Sequence, residues 1–413
     1  MLQSKTFVGL TDIASLIGEY AAGFQLNNVP VKSGVFGKSH VAQRSQCDFD
    51  LSTFSPYRYE WVRPFKLQLF CRDKFNFPKN RIFKSTFLAC DTFLFIDSTF
   101  YSDYSDVIKI KKAGKKIIAV LTGDDCRWYG AMKQEFEKYG MQVIDYPEGY
   151  DFSLASMERR LKYLRVCEKY ADVILSLPNQ AQLALRPYHA WRLPLNTKHF
   201  IINTNQRAIP IVVHAPSSRA FKGTSYILDA VDRLQAEGIP FKFELVENLS
   251  NDAALLKYAE CDIIVSQVMC PSGGRLALEG LAMGKVVLSK MGFEDGYDEK
   301  FPDPCPIIDV SPQTIYQHLR ETILDFSFRK NKAMQGPRYI NQYFSCEGVV
   351  KSILNLLNNP VAIPDFYPDF FKNTFVPESK EAAIIYNKWN HYVSDCEWYK
   401  TNVGNYKRSE LLF

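Results

Sequence analysis

At 413 residues and a formal net charge of +5, the chain is too long for one ordinary core and too weakly basic to argue for a nucleic-acid partner. Apolar residues make up 46% and charged residues 23%, the balance of a folded globular protein, and no apolar run approaches the roughly 20 residues a spanning helix needs. Ten cysteines without a Cys-x-x-Cys, unclustered with the six histidines, argue for free thiols in a reducing compartment and against a zinc site.

The N-terminus runs straight into a strand without a basic segment and apolar core ahead of it, so no signal peptide is expected and the location predicted is the cytosol. Strand Thr6 to Gly9 leads into a helix from Asp12 to Phe24, with Thr11 as its N-cap and Ile13, Ile17, Tyr20, Ala21 and Phe24 at helical spacing. Residues 34–89 are irregular and aromatic, and read as inserted loops that shape an acceptor cleft. Order returns with strand Thr92 to Ile96, helix Asp103 to Lys112 closed by Gly114, and strand Lys116 to Leu121. Helix Tyr129 to Tyr139, strand Gln142 to Ile144, helix Leu154 to Tyr170, strand Asp172 to Ser176 and helix Asn179 to Leu185 continue the alternation, which predicts parallel sheets with right-handed crossovers.

A second series begins at Ile209. The apolar run Ile209-Pro-Ile-Val-Val-His214 stops at Ala-Pro-Ser-Ser218-Arg219-Ala-Phe-Lys222-Gly223, a polar turn with two cations, suited to an anion. Strands follow at Phe243 to Glu247 and Cys261 to Gln267, then Ser272-Gly273-Gly274-Arg275 opens a helix carrying Glu279. Glycines before a helix let a phosphate approach its N-terminal N–H groups. Arg219 offers a planar fork to phosphate oxygens, Lys222 a point charge, and Glu279 an acceptor for a ribose diol. Taken singly, each of these residues is also a common solvated turn or helix-surface charge; it is the three in this order that argue for a site. A strand at Pro306 to Val310 and helices Ser311 to Asp325 and Cys346 to Asn358 complete the series, and the tail from Pro360 is rich in aromatics. The domains expected are 1–203 (acceptor side), 204–345 (donor side) and 346–413, a crossover helix and tail packing back on the first.

The segment from Ile209 to Lys290 resembles the donor-binding domain of a GT-B glycosyltransferase, most closely family 4 of the retaining enzymes. Arg219 and Lys222 match the family's diphosphate-binding pair; Gly274, Glu279 and Ala282-Met-Gly284-Lys-Val-Val287 match its second motif, with Val286 at the Pro position and Pro271 at the position of the motif's first Glu. The resemblance implies two Rossmann-like doubly wound α/β domains with a cleft between them. It also implies a nucleotide-diphosphate sugar as donor, a glycan, lipid-linked or other hydroxyl acceptor, no cofactor, and no metal, since two cations and a helix start serve the leaving group. Arg219, Lys222 and Glu279 are then the catalytic candidates, with His214, Ser218, Glu247, Ser272, Gly273, Gly274 and Arg275 as further donor contacts. As a lone histidine, His214 is more often a satisfied structural residue.

Gly123-Asp124-Asp125-Cys126-Arg127 is similar to the family's His-Gly-x-Asp-x-Arg turn, with Thr122 at the His position, and makes Asp125 and Arg127 acceptor-side candidates; a turn closed by Asp is the other reading. Two basic runs, Lys109 to Lys116 and Arg159 to Lys169, are candidate contacts with anionic lipid or else solvated helix faces. Two rival readings accompany the transferase: a nucleotide-sugar epimerase of the same fold, and an inactive nucleotide-sugar-binding partner subunit, which Pro271 and Thr122 would suit.

Overall fold

The computed structural model describes residues 5–36, 47–50, 73, 76–123, 125–138, 151–291, 303–359, 361–368 and 377–402. Two compact units emerge, Met1–Glu135 with Asp151–Pro194 and Cys346–Phe413, and Phe136–Tyr150 with Leu195–Ser345. Each is built on one parallel sheet.

In the first unit the strands are β1 (Thr6–Leu10), β2 (Val31–Val35), β3 (Phe49–Asp50), β4 (Thr92–Ile96), β5 (Lys116–Val120), β6 (Val173–Ser176) and β7 (His189–Ala190), in spatial order β3-β2-β1-β4-β5-β6-β7. β1, β4 and β6 are buried along their whole length, as apolar strands covered on both faces must be. The helices are α1 (Leu16–Leu26), α2 (Phe77–Ala89), α3 (Ser105–Lys112), α4 (Tyr129–Lys138), whose residues from Phe136 on group with the second unit, and α5 (Leu154–Tyr170). The strand order reverses between β1 and β4, and there the loops after the two strands meet, Thr11 Oγ1 lying 2.7 Å from Ser98 Oγ.

The second unit holds β8 (Ile211–His214), β9 (Lys242–Leu245), β10 (Ile263–Val265), β11 (Val286–Ser289) and β12 (Ile308–Asp309) in the order β12-β11-β10-β8-β9. Its switch point lies between β8 and β10, paired in register from Val212↔Ile263 to His214↔Val265. Its helices are α6 (Arg219–Lys222), α7 (Thr224–Ala236), α8 (Asn251–Glu260), α9 (Gly274–Ala282), α10 (Ile315–Leu324) and α11 (Phe326–Tyr343). α7 buries Ile227, Ala230, Val231 and Leu234, one apolar stripe at helical spacing.

After Ser345 the described residues belong to the first unit. α12 (Cys346–Asn358) lies so close along α1 that a Cβ on Gly23 would come within 2.3 Å of the Cys346 carbonyl oxygen. Tyr188 and Phe366 exchange backbone hydrogen bonds of 3.1 Å each way and their rings pack 5.4 Å apart. α13 (Lys380–His391) packs on α5, where the fully buried Arg165 pairs with Glu168 at 2.7 Å and donates to Asn390 Oδ1 at 3.1 Å; α14 (Glu397–Asn402) follows.

Some expectations need correction. α1 starts at Leu16, not Asp12: the Asp12 carboxylate accepts from Ile17 N, while Thr11 serves the Ser98 contact instead of a cap. Residues 179–185 form turns, not a helix, because Glu168 takes the Leu185 and Arg186 N–H groups that a helix would direct inward. α11 has no counterpart in the pattern reading. The expected strand at 142–144 and the ring pair Phe370 and Phe371 lie outside the described residues.

Candidate functional site

β8 ends at His214 and β10 two residues before Gln267, so the turns after both strands open at the switch point of the second sheet. The first turn leads into α6, whose two cations lie three residues apart. Gly223 closes it in the left-handed region (φ 72°), where a Cβ would also approach Val268 Cγ2 to 2.5 Å; this glycine lets the turn lie flat on the β10–α9 loop. A backbone bond from Val268 N to the Lys222 carbonyl, 3.0 Å, ties the two loops.

The two cations have different partners. Arg219 is exposed and forked onto Glu247, beyond β9, with Nε to Oε1 at 2.8 Å and Nη2 to Oε2 at 2.5 Å; each group holds the other in its charged form, raising the arginine's pKa and lowering the glutamate's. Lys222 donates to Gln267 Oε1, and its Nζ lies within 3.5 Å of where a Cβ on Gly274 would stand. Gly274 itself is left-handed (φ 69°), so a side chain there would strain the backbone and crowd the lysine. Burial lowers the Lys222 pKa.

The turn before α9 is held from inside. Gln267 Nε2 donates to the carbonyls of Cys270 (2.9 Å) and Ser272, and Ser266 Oγ donates to Gly273 O at 3.1 Å. Lys222, Gln267, Ser272, Gly273 and Gly274 thus form one connected patch at the start of α9, where the first backbone N–H groups lack intrahelical acceptors. Ser218 precedes α6 without capping it through its side chain.

Glu279 sits one to two turns into α9 and is 3% exposed. Its Oε1 accepts from Arg275 Nε at 2.8 Å, so the carboxylate stands within an i,i+4 pair. His214 is fully buried: Nδ1 faces the Val265 carbonyl at 2.8 Å and Nε2 faces Thr224 Oγ1 at 2.9 Å. A carbonyl only accepts, so Nδ1 carries the hydrogen and Nε2 accepts from the threonine. Burial brings its pKa down to about 4, which leaves a neutral ring beside Lys222.

Sequence reasoning named the cations and missed their organisers. Gln267 was visible only as a polar residue ending an apolar run, and Thr224 as an ordinary first residue of a helix.

In the first unit the turn after β5 carries Asp125, whose carboxylate accepts from Gly123 N at 2.8 Å and Thr122 N at 3.1 Å, closing the turn on itself; burial raises its pKa against these bonds. Arg127 is buried beside it. The basic runs are largely taken up internally. Lys111 and Lys116 both reach Asp172, Lys115 donates to Cys90 O, Arg160 bonds Ser156, and Lys169 bonds Asp395. Among the described residues no helix is long and apolar enough to cross a membrane.

No protein-family model matches the chain, and no curated protein matches it in sequence. Solved structures do match it in shape. Anabaena HepE in complex with UDP and glucose aligns with a TM-score of 0.52 and 12% identity over 86% of this chain and 100% of its own. Sucrose-phosphate synthase from Thermosynechococcus elongatus aligns at 0.54 and 13%, over 86% and 98%. The catalytic domain of starch synthase IV from Arabidopsis thaliana, bound to ADP and acarbose, aligns at 0.50 and 9%, over 87% and 99%. Such neighbours are GT-B glycosyltransferases, and the two parallel sheets of this chain have the GT-B fold.

Proposed function

We propose that the protein is a glycosyltransferase of the family 4 type, moving a sugar from a nucleotide diphosphate to a hydroxyl of a glycan or lipid-linked acceptor, with retention of configuration and without a metal ion. The observation that carries this reading is the Lys222 ammonium set against Gly274 at the start of α9, with Arg219 three residues away. A cation, a helix start and a bare glycine backbone together suit a diphosphate, and the fold is one whose members include nucleotide-sugar enzymes.

In this reading the bond from the anomeric carbon to the diphosphate oxygen breaks with its electron pair on the phosphate. Lys222 and the α9 N–H groups meet the charge that develops there. The acceptor oxygen bonds to the anomeric carbon, and its proton leaves with the diphosphate. Glu279 takes the ribose diol, and Arg219 grips the diphosphate after exchanging Glu247 for it. Asp125 and Arg127 are the acceptor-side candidates. The exposed Lys109 and Lys112, which carry no ion pair among the described residues, are the cations of the basic runs that would meet an anionic membrane.

The test is incubation with UDP-, ADP- and GDP-sugars in the presence of a chelator, following binding, hydrolysis and isomerisation. Slow hydrolysis of one donor supports the transferase. An isomer would turn the reading to an epimerase, and binding without turnover to an inactive partner subunit.

A further inference from the structure

Gln267 is 1% exposed and sits where the loops after β8 and β10 meet. Its amide orientation follows from its neighbours. Lysine can only donate, so Oε1 must face Lys222, and Nε2 then points at the carbonyls of Cys270 and Ser272, which can only accept. One side chain therefore fastens the cation after β8 to the turn that starts α9. The choice of an amide matters. Arg219 and Arg275 are each held by a carboxylate, Glu247 and Glu279, which offsets their charge. Lys222 is held by a neutral acceptor that leaves its charge whole.

We infer that Gln267 is a positioning residue for the donor diphosphate: it fixes the Lys222 ammonium against the start of α9 while preserving that positive charge for phosphate. This rests on the donor-site reading above, though the hold on Lys222 can be measured without any nucleotide. The titratable group that acts on the lysine is the Cys270 thiol from the β10–α9 loop, and the lysine in turn acts on His214 from β8, as do Arg219 and Glu247. Burial lowers the Lys222 pKa, so its charge is lost as pH rises through a value below that of a free lysine. Gln267→Glu would place a carboxylate beside the ammonium, shift that loss to higher pH, and cancel the charge a phosphate needs. Gln267→Met would remove the hydrogen bond to the charged form and shift the loss the other way.

Two measurements test this. Competition labelling of Lys222 with acetic anhydride across pH, read by mass spectrometry, should show reactivity rising at higher pH in Q267E and at lower pH in Q267M than in the wild type. Unmoved profiles in both variants would overturn the proposal. Titration of UDP and ADP into the wild type, Q267E, Lys222→Met and the double variant should show Q267E weakening binding about tenfold or more, and adding little once Lys222 is gone. Equal losses in both backgrounds would mean that Gln267 acts on the turn alone, which also overturns it. If the labelling profiles move as expected but the wild type binds neither nucleotide, the donor reading fails and the hold of Gln267 on Lys222 stands.

Discussion

Acid should weaken the second unit through His214. Its ring is fully buried, its Nδ1–H is given to Val265 O and its Nε2 takes the Thr224 hydroxyl, so an added proton would remove an acceptor and place a charge near Lys222. The folded-state pKa is about 4, against 6.5 for the free side chain, with burial the main cause and Lys222 and Arg219 lowering it further while Glu247 opposes. The sign follows from linkage. Below pH 6.5 the unfolded chain takes up a proton that the folded state refuses, so stability present above 6.5 is lost as pH falls towards 4. At about 1.4 kcal/mol per pH unit, the loss at pH 5 is about 2 kcal/mol. Urea unfolding of the wild type and His214→Asn at pH 7.5 and pH 5 measures it. The asparagine keeps a donor for Val265 O and does not titrate; it should be the less stable protein at pH 7.5, and the gap should shrink by about 2 kcal/mol at pH 5. A gap that stays the same would refute the account of a buried neutral ring.

Arg219→Ala should abolish donor turnover and leave the melting temperature unchanged, because an exposed ion pair contributes little to stability; wild-type turnover would remove Arg219 from the site. Glu279→Gln should weaken nucleoside diphosphate binding by roughly 1–3 kcal/mol in calorimetry, the loss expected for a charged hydrogen bond to a ribose, and equal affinity would contradict that role. Truncation after Asn359 should give an insoluble or much less stable protein, since it strips Phe366 from Tyr188 and Asn390 from the buried Arg165. A truncated chain that keeps its melting temperature and loses only liposome binding would show that the tail serves a membrane instead.

How far the sequence could be read depended on whether a feature leaves a local trace. α5 and α12 occupy the expected spans, Leu154–Tyr170 and Cys346–Asn358, because each shows a sustained apolar stripe. α11 leaves no such trace, because Gly336 and Pro337 interrupt its helical pattern; the glycine lies where a Cβ would come within 2.6 Å of Leu281 O, so its smallness serves close packing of α11 on α9. Ala181 to Leu185 has helical composition and is nevertheless a buried turn, since at its end the Leu185 and Arg186 N–H groups answer to Glu168 from another element. At the candidate site the cations were legible from their position after a strand. Their partners were not, because Arg219–Glu247 and Lys222–Gln267 span 28 and 45 residues and no periodicity reports such pairings. Arg275–Glu279, four residues apart on one helix, could have been read from spacing.

Under the proposed donor-site reading, the partners also imply an order of events for an arriving diphosphate. Arg219 begins with its Nε and Nη2 edge held by Glu247, so a phosphate taking that edge would exchange one anion for another in an exposed position where water screens both. Lys222 needs no such exchange, as its partner is neutral and its surroundings are drier. From Ser266 to Gly274 the only titratable side chain is the Cys270 thiol, and Pro271 stands where the family 4 motif carries its first Glu, so no carboxylate in that loop would compete with an incoming phosphate. The field of one uncompensated ammonium and one helix start would therefore act first, and the arginine fork would close second, once the diphosphate is near enough to displace Glu247. In that reading the missing acid would cost a contact to the donor sugar, but it would leave the phosphate end of the site more positive than the family 4 motif would make it.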